Sequence, residues 1–176
     1  GSFTSNVDDN IEKTRNKAGI IFSSNLDRRK VNPLIYVKFW RQACLPSLLF
    51  GIELFTLTPS LLLKLERCQF WFLKHIFYLP KFAHGPFLLK ISGLNSIASE
   101  IAMKKMLFLG RLITEPKTAP SVKNLLKSRT DSLFDSNVAS SGVLPSIGEA
   151  LVNYDLFQYF ESWFNNDIFP NYQGPT

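Results

Sequence analysis

The side chains that could do chemistry are few and stand far apart along the chain. The two histidines, His75 and His84, lie nine residues apart, and neither has an acid or a cysteine at ligand spacing. Because a metal site needs three or four convergent ligands, the sequence predicts no metal and no cofactor. The nine glycines are scattered, so there is no phosphate-binding loop, and no nucleophile motif is present. We therefore expect a chain without catalytic residues.

The acidic and thiol side chains favour structural roles. Asp8 and Asp9 stand near the start of a helical pattern, where carboxylates favour the helix dipole. Glu53 lies in an apolar segment and is a candidate buried carboxylate, for which a helix cap or an arginine partner is the simpler interpretation. Cys44 and Cys68 lie in apolar helical patterns outside any CxxC motif. They predict two buried thiols in a reducing compartment, although a disulfide between helices stays open.

Helical periodicity dominates the elements that would position these residues. Asn32–Pro33 and Thr58–Pro59 each combine a capping side chain with proline at the first helical position, which predicts a helix start. The apolar segment 34–55 predicts a central helix that is buried nearly all round and kinked by Pro46. Amphipathic patterns predict further helices, among them 96–114, and no strand alternation of convincing length occurs. The predicted fold is all-α, an irregular bundle of about six to eight helices without a significant sheet.

Charge divides the chain into two parts. All 20 Lys and Arg lie at or before Arg129 with eight of the 14 acidic residues, so residues 1–130 carry +12 and the remainder −6. We predict a basic helical domain over 3–134 and an acidic, aromatic helical appendage over 135–176 that packs on it. Gly1–Ser2 is typical of a tag remnant, and the polar start that follows suggests a piece of a longer protein. A strongly basic segment attracts polyanions, and no apolar run is long enough to predict a membrane span.

Several motifs resemble the thumb and linker region that follows the palm in reverse transcriptases of LINE-type, non-LTR retrotransposons. Residues 46–53 (PSLLFGIE) are similar to the family pattern v-x-P-x-l-l-Y-G-x-E-x-W. Residues 65–80 (LERCQFWFLKHIFYLP) are similar to l-e-x-x-Q-x-x-f-x-r-x-i-l-g-l-P, and residues 88–93 and 102–105 resemble later stretches. The resemblance covers roughly residues 10–115. Phe50 replaces the usual Tyr, Phe55 the usual Trp and Lys74 the usual Arg, and the catalytic palm and the zinc knuckle are absent.

The resemblance implies that the chain grips template RNA, an RNA–DNA hybrid or DNA, as thumb helices of the family grip the primer–template duplex. The parent protein would be an RNA-directed DNA polymerase of the nucleus or cytoplasm. A grip on phosphates needs cations spaced along rigid helices. The candidates lie on the first helix, on the loop after it, on the second helix and on a later helix: Lys13, Arg15, Lys17, Arg28, Arg29, Lys30, Lys38, Arg41, Lys104 and Lys105.

A protein–protein interaction module is the alternative, in which a host has kept a retrotransposon fragment for another use. The feature that favours it is the acidic aromatic segment 154–169, whose rings could receive a partner helix if they leave a groove exposed. Packing of these rings on the protein's own core is the simpler interpretation.

Overall fold

The chain folds into helices. The computed structural model describes residues 3–23, 31–114 and 143–155, together with Ser121 and Asn124, and no strand occurs in this part of the chain, which confirms the all-α prediction. Helix α1 is Phe3–Ser23. Helix α2 (Pro33–Phe39) continues through a π-helical turn (Trp40–Cys44) into α3 (Leu45–Leu48), and a 3-10 turn (Ile52–Leu54) follows. The remaining helices are α4 (Pro59–Ile76), α5 (Gly85–Ser92), α6 (Ile97–Thr114) and α7 (Val143–Asn153).

Both predicted proline starts are confirmed. The Asn32 side chain accepts a hydrogen bond from the Leu34 N–H at 3.0 Å, and Pro33 opens α2. The Thr58 hydroxyl accepts from the Leu61 N–H at 3.4 Å at the start of α4. In each case the cap and the proline are neighbours in sequence, so local chemistry alone sets the helix start.

The central apolar segment differs from the expected all-round buried helix. Its helical part ends at Leu48, and the π-helical turn directly precedes Pro46, whose missing N–H interrupts regular α-helical bonding. One face is buried, but Leu34 and Ile35 are exposed, so the helix is amphipathic. Gly51, at φ +71°, then reverses the chain in a conformation that suits glycine.

The chain divides into two compact units. The first consists of Gly1–Glu53 and Leu57–Ile101, and the second consists of Leu54–Thr56 and Ala102–Thr176. The predicted boundary at residues 134 and 135 lies outside the described residues. In the first unit α1 packs against the π-helical turn, α3 and α4. Its centre is aromatic: the Phe22 and Phe72 rings stack at 5.5 Å between centroids, and Trp40 lies 4.6 Å from Phe72.

Helix α6 is confirmed close to its predicted bounds. Residues four apart are buried along it, namely Ile97, Ile101, Lys105 and Leu109, whereas Leu107 is 56% exposed. In the second unit α7 buries Ile147, Ala150 and Leu151. Among the described residues, no helix has the length and the hydropathy needed to cross a bilayer.

Candidate nucleic-acid interface

Two of the predicted cations line a shallow groove beside α1. Lys13 and Lys17 are one helical turn apart, and both face a space of about 410 Å³ between α1 and the helix formed by α2 and α3. Gln42, Ser47 and the exposed Phe50 line its other side. We call this space the α1 groove. It combines two ammonium groups with neutral polar donors, a composition suited to a phosphate contact.

Arg15 points away from these lysines. Two residues along a helix correspond to a rotation of about 200°, so Arg15 leaves α1 on another side. Its guanidinium lies over the ring of Trp71 on α4, 5.6 Å from the centroid, in cation–π geometry. The predicted trio of the first helix is therefore divided between two faces.

A second groove runs along the second half of α4 and the turn that follows the helix, and its volume is about 610 Å³. We call it the α4 groove. Three cations line it: Arg67 and Lys74, two turns apart on α4, and Lys81 in the turn that follows. The Lys74 ammonium donates to the Lys81 carbonyl oxygen, which holds this turn against the helix. None of the described residues that line the groove is acidic, so its charge attracts an anion.

Aromatic rings alternate with these cations. Phe70, Trp71, His75 and Tyr78 line the α4 groove. Trp71 is half-buried, and its ring packs with Phe22 in a T-shaped arrangement, with 5.9 Å between the ring centroids. A Cβ atom on Gly85 would lie 2.7 Å from the Phe70 ring, so the start of α5 approaches this ring as closely as only glycine permits. Rings beside cations are the pattern of sites that hold unpaired nucleotides.

The predicted cations of the second helix are exposed but do not join either groove. Lys38 is exposed on α2. Arg41 lies one turn further, and its Nη2 donates to the Gly93 carbonyl oxygen at 2.8 Å, which ties the π-helical turn to the end of α5. Arg41 therefore has a structural contact. The predicted loop trio, Arg28, Arg29 and Lys30, lies outside the described residues.

The two lysines predicted on α6 differ in exposure. Lys104 is half-buried, whereas Lys105 is only 6% exposed and belongs to the buried stripe of its helix. A residue with so little exposed surface offers little to a phosphate strand in solvent, which argues against the place of Lys105 in the predicted interface. Neighbours in an α-helix point about 100° apart, and one of two adjacent lysines can therefore face inward.

The thiols are buried and free, as predicted. Burial raises the pKa of Cys44 from its ordinary 9.0 to about 12, reinforced by Cys68 and opposed by Lys17. Burial likewise raises the pKa of Cys68 to about 11, although the nearby Arg15 guanidinium opposes it. Protonated, buried thiols are poor nucleophiles.

Neither histidine forms part of a metal cluster in the described part of the chain. His75 is exposed and packs against Phe22 with 4.4 Å between the ring centroids, and His84 is exposed in the turn before α5. Glu53 lies in the 3-10 turn with its Oε2 buried and, among the described residues, without a hydrogen-bond partner. Neither the predicted cap nor the predicted arginine partner of Glu53 is found there.

Sequence reasoning did not include the three cations of the α4 groove among the candidate site residues. The signal was available in the spacing: Arg67, Trp71, Lys74 and Tyr78 recur at intervals of four, three and four, which is the spacing of one row along a helix, although α4 ends at Ile76 and Tyr78 lies in the turn after it. What the sequence could not show was that the following turn brings Lys81 back beside that row.

The predicted aromatic appendage lies mostly beyond the described residues. Tyr154 is half-exposed just after α7, and residues 156–169 are outside the described part, so the interaction-module alternative stays a prediction. Comparison with protein-family models, with curated proteins and with solved structures finds no match to this chain.

Proposed function

We propose that this chain is a nucleic-acid-binding helical module that holds a polynucleotide backbone along the α4 groove and catalyses no reaction. One observation supports the proposal most directly. Arg67, Lys74 and Lys81 line the same groove as four aromatic rings, and the described lining of this groove contains no acid. Phosphate contacts supply most of the affinity in such complexes, and the rings give a strand a surface to lie on.

Two features of the sequence support the proposal. The charge of +12 over residues 1–130 favours encounter with a polyanion. The resemblance to the thumb and linker region of LINE-type reverse transcriptases implies the same class of ligand, and residues 65–80, which carry much of it, include most of the α4 groove. The α1 groove, with Lys13 and Lys17, is a second contact region under this proposal.

The test compares two variants that remove the same charge. Arg67→Ala/Lys74→Ala/Lys81→Ala empties the α4 groove of cations, and Lys38→Ala/Lys64→Ala/Lys90→Ala removes three exposed lysines that line neither groove. Fluorescence anisotropy with labelled single-stranded RNA, single-stranded DNA, duplex and RNA–DNA hybrid gives Kd at several salt concentrations. Circular dichroism of both variants verifies that they remain folded.

We expect the α4-groove variant to bind about tenfold more weakly or worse. For single strands, the slope of log Kd plotted against log salt concentration should also decrease by about 2, because each lost phosphate contact removes about 0.7 from this slope. The control variant keeps most of the affinity. Equal losses in both variants would mean that net charge alone attracts nucleic acid. Absence of binding by the unaltered chain at low salt would refute the proposed function.

A further inference from the structure

Helix α4 ends in a closed turn whose geometry places one residue in a left-handed conformation. The Phe77 N–H donates to the Leu73 carbonyl oxygen at 3.0 Å, and the Leu79 N–H reaches back to the Lys74 carbonyl oxygen at 2.9 Å. Between them Tyr78 has φ +54°. Glycine is the usual residue at this point of such a turn, because a Cβ atom is crowded there. A tyrosine therefore strains the backbone where glycine would not.

Packing does not offset this strain. The Tyr78 side chain is 57% exposed, so its ring gains little from burial in the folded chain. It lines the α4 groove in the row that contains Arg67, Trp71 and Lys74. A strained residue whose side chain stands in solvent beside cations is the arrangement found where strain serves binding.

The neighbouring rings are already engaged. Arg15 lies over Trp71 and Phe22 packs at its edge, while His75 lies 4.4 Å from the Phe22 ring centroid. Tyr78 is 57% exposed, whereas Phe70 and Trp71 are half-buried, and Lys74 and Lys81, which line the groove with Tyr78, would place phosphates near its ring.

We infer that Tyr78 stacks against an unpaired base, so that the α4 groove selects single-stranded over double-stranded nucleic acid. The inference rests on the proposed function and specifies its ligand. Arg67, Lys74 and Lys81 contact the phosphates, and the tyrosine ring contacts the base. Bases in a duplex are stacked on each other and cannot present a face to a protein ring, whereas every unpaired base can.

Four variants isolate the ring from the backbone. Tyr78→Gly removes both the ring and the strain, Tyr78→Ala removes the ring and keeps a Cβ atom, and Tyr78→Phe keeps the ring without its hydroxyl. Phe87→Ala is the matched control, since Phe87 on α5 is 59% exposed and lies outside the groove lining. Each is titrated with a labelled RNA strand of about 12 nucleotides, with DNA of the same sequence and with the corresponding duplexes, and each is melted to obtain its Tm.

We expect Tyr78→Gly to melt at the same temperature as the unaltered chain or higher, yet to bind single strands about tenfold more weakly. Tyr78→Ala loses the same affinity, which keeps the test valid if the glycine variant melts early. Tyr78→Phe and Phe87→Ala bind within about twofold of the unaltered chain, and duplex binding changes by no more than about twofold in all four.

Other outcomes overturn the inference, and they separate it from the proposed function. If Tyr78→Gly and Tyr78→Ala bind single strands normally while the three-cation variant does not, the groove holds phosphates without stacking. If Tyr78→Phe binds as weakly as Tyr78→Gly, the hydroxyl rather than the ring makes the contact. Equal losses for duplex and single strand would remove the selectivity. A chain that binds no nucleic acid at all contradicts both proposals together.

Discussion

Asn10 is a buried polar side chain that joins two parts of the chain far apart in sequence. Its Nδ2 donates to the Phe50 carbonyl oxygen at 2.9 Å and lies 3.4 Å from the Leu48 carbonyl oxygen, where α3 ends. The last carbonyls of a helix have no partner within it. Since Asn10 is 2% exposed, water cannot easily replace it, and the side chain satisfies a helix end from a neighbouring helix.

We predict that Asn10→Ala lowers the free energy of unfolding by about 1–3 kcal/mol, because it leaves buried carbonyls without a donor. Asn16→Ala is the control: the same replacement on the same helix, at an exposed position, should change stability by about 0.5 kcal/mol or less. Urea denaturation followed by circular dichroism measures both. Similar values for the two variants would mean that the hydrogen bonds of Asn10 contribute no stability.

At the scale of the element, helix starts and helix ends depend on different kinds of residue. Starts are defined by adjacent residues, such as Asn32 with Pro33, whereas ends depend on residues that can take a left-handed conformation. Gly51 lies after the central segment at φ +71°, and Tyr78 lies after α4 at φ +54°. Both turns contain a positive φ, and only the second places a large side chain there.

Two glycines of different backbone conformation should respond in opposite directions to the same replacement. Gly51→Ala places a Cβ atom at a positive φ and is expected to cost about 1 kcal/mol of unfolding free energy. Gly19 lies within α1, and a Cβ atom there would have open space around it. Gly19→Ala should therefore stabilise by up to about 1 kcal/mol.

Thermal melting of the two glycine variants compares them directly, since a change of 1 kcal/mol shifts Tm by about 2–4 °C for a chain of this size. A lower Tm for Gly19→Ala would contradict the assignment of an uncrowded helical position. An unchanged Tm for Gly51→Ala would mean that the turn can rearrange to a negative φ at no cost.

The first unit as a whole buries both thiols, and this makes its stability depend on pH. The folded chain raises the pKa of Cys44 to about 12 and that of Cys68 to about 11, from an ordinary 9.0, mainly through burial. Folded thiols thus hold their protons when unfolded thiols have lost them. Their contribution is full below pH 9 and declines as the pH rises from about 9 towards 11, with each thiol accounting for at most about 1.4 kcal/mol per pH unit.

Cys44→Ala/Cys68→Ala should remove this part of the pH dependence. The variant is less stable at neutral pH, since it leaves space in the core, but its unfolding free energy falls less steeply above pH 9. Urea denaturation of both proteins between about pH 7 and pH 10.5, under reducing conditions, gives the two slopes. Parallel slopes would assign the alkaline loss of stability to lysines and tyrosines, which both proteins share.

Some features of this protein follow from its sequence alone, whereas others depend on how its helices pack. The sequence alone determined that the described chain is helical, where α2 and α4 begin and that both thiols are buried, because a cap, a proline or an apolar stripe acts within a few residues. It also contained the row formed by Arg67, Trp71 and Lys74, since helical spacing places these three residues on one face of α4, with Tyr78 in the turn that follows.

Only the tertiary structure decided which cations meet. Sequence proximity grouped Lys13, Arg15 and Lys17, and the fold sends Lys13 and Lys17 to the α1 groove and Arg15 to Trp71. Lys105 followed its helix into a buried stripe. The α4 groove exists because a turn returns beside the helix before it, so its composition depends on packing between segments. Helical periodicity fixes the angle between two side chains on one helix, but not which neighbouring element each of them will face.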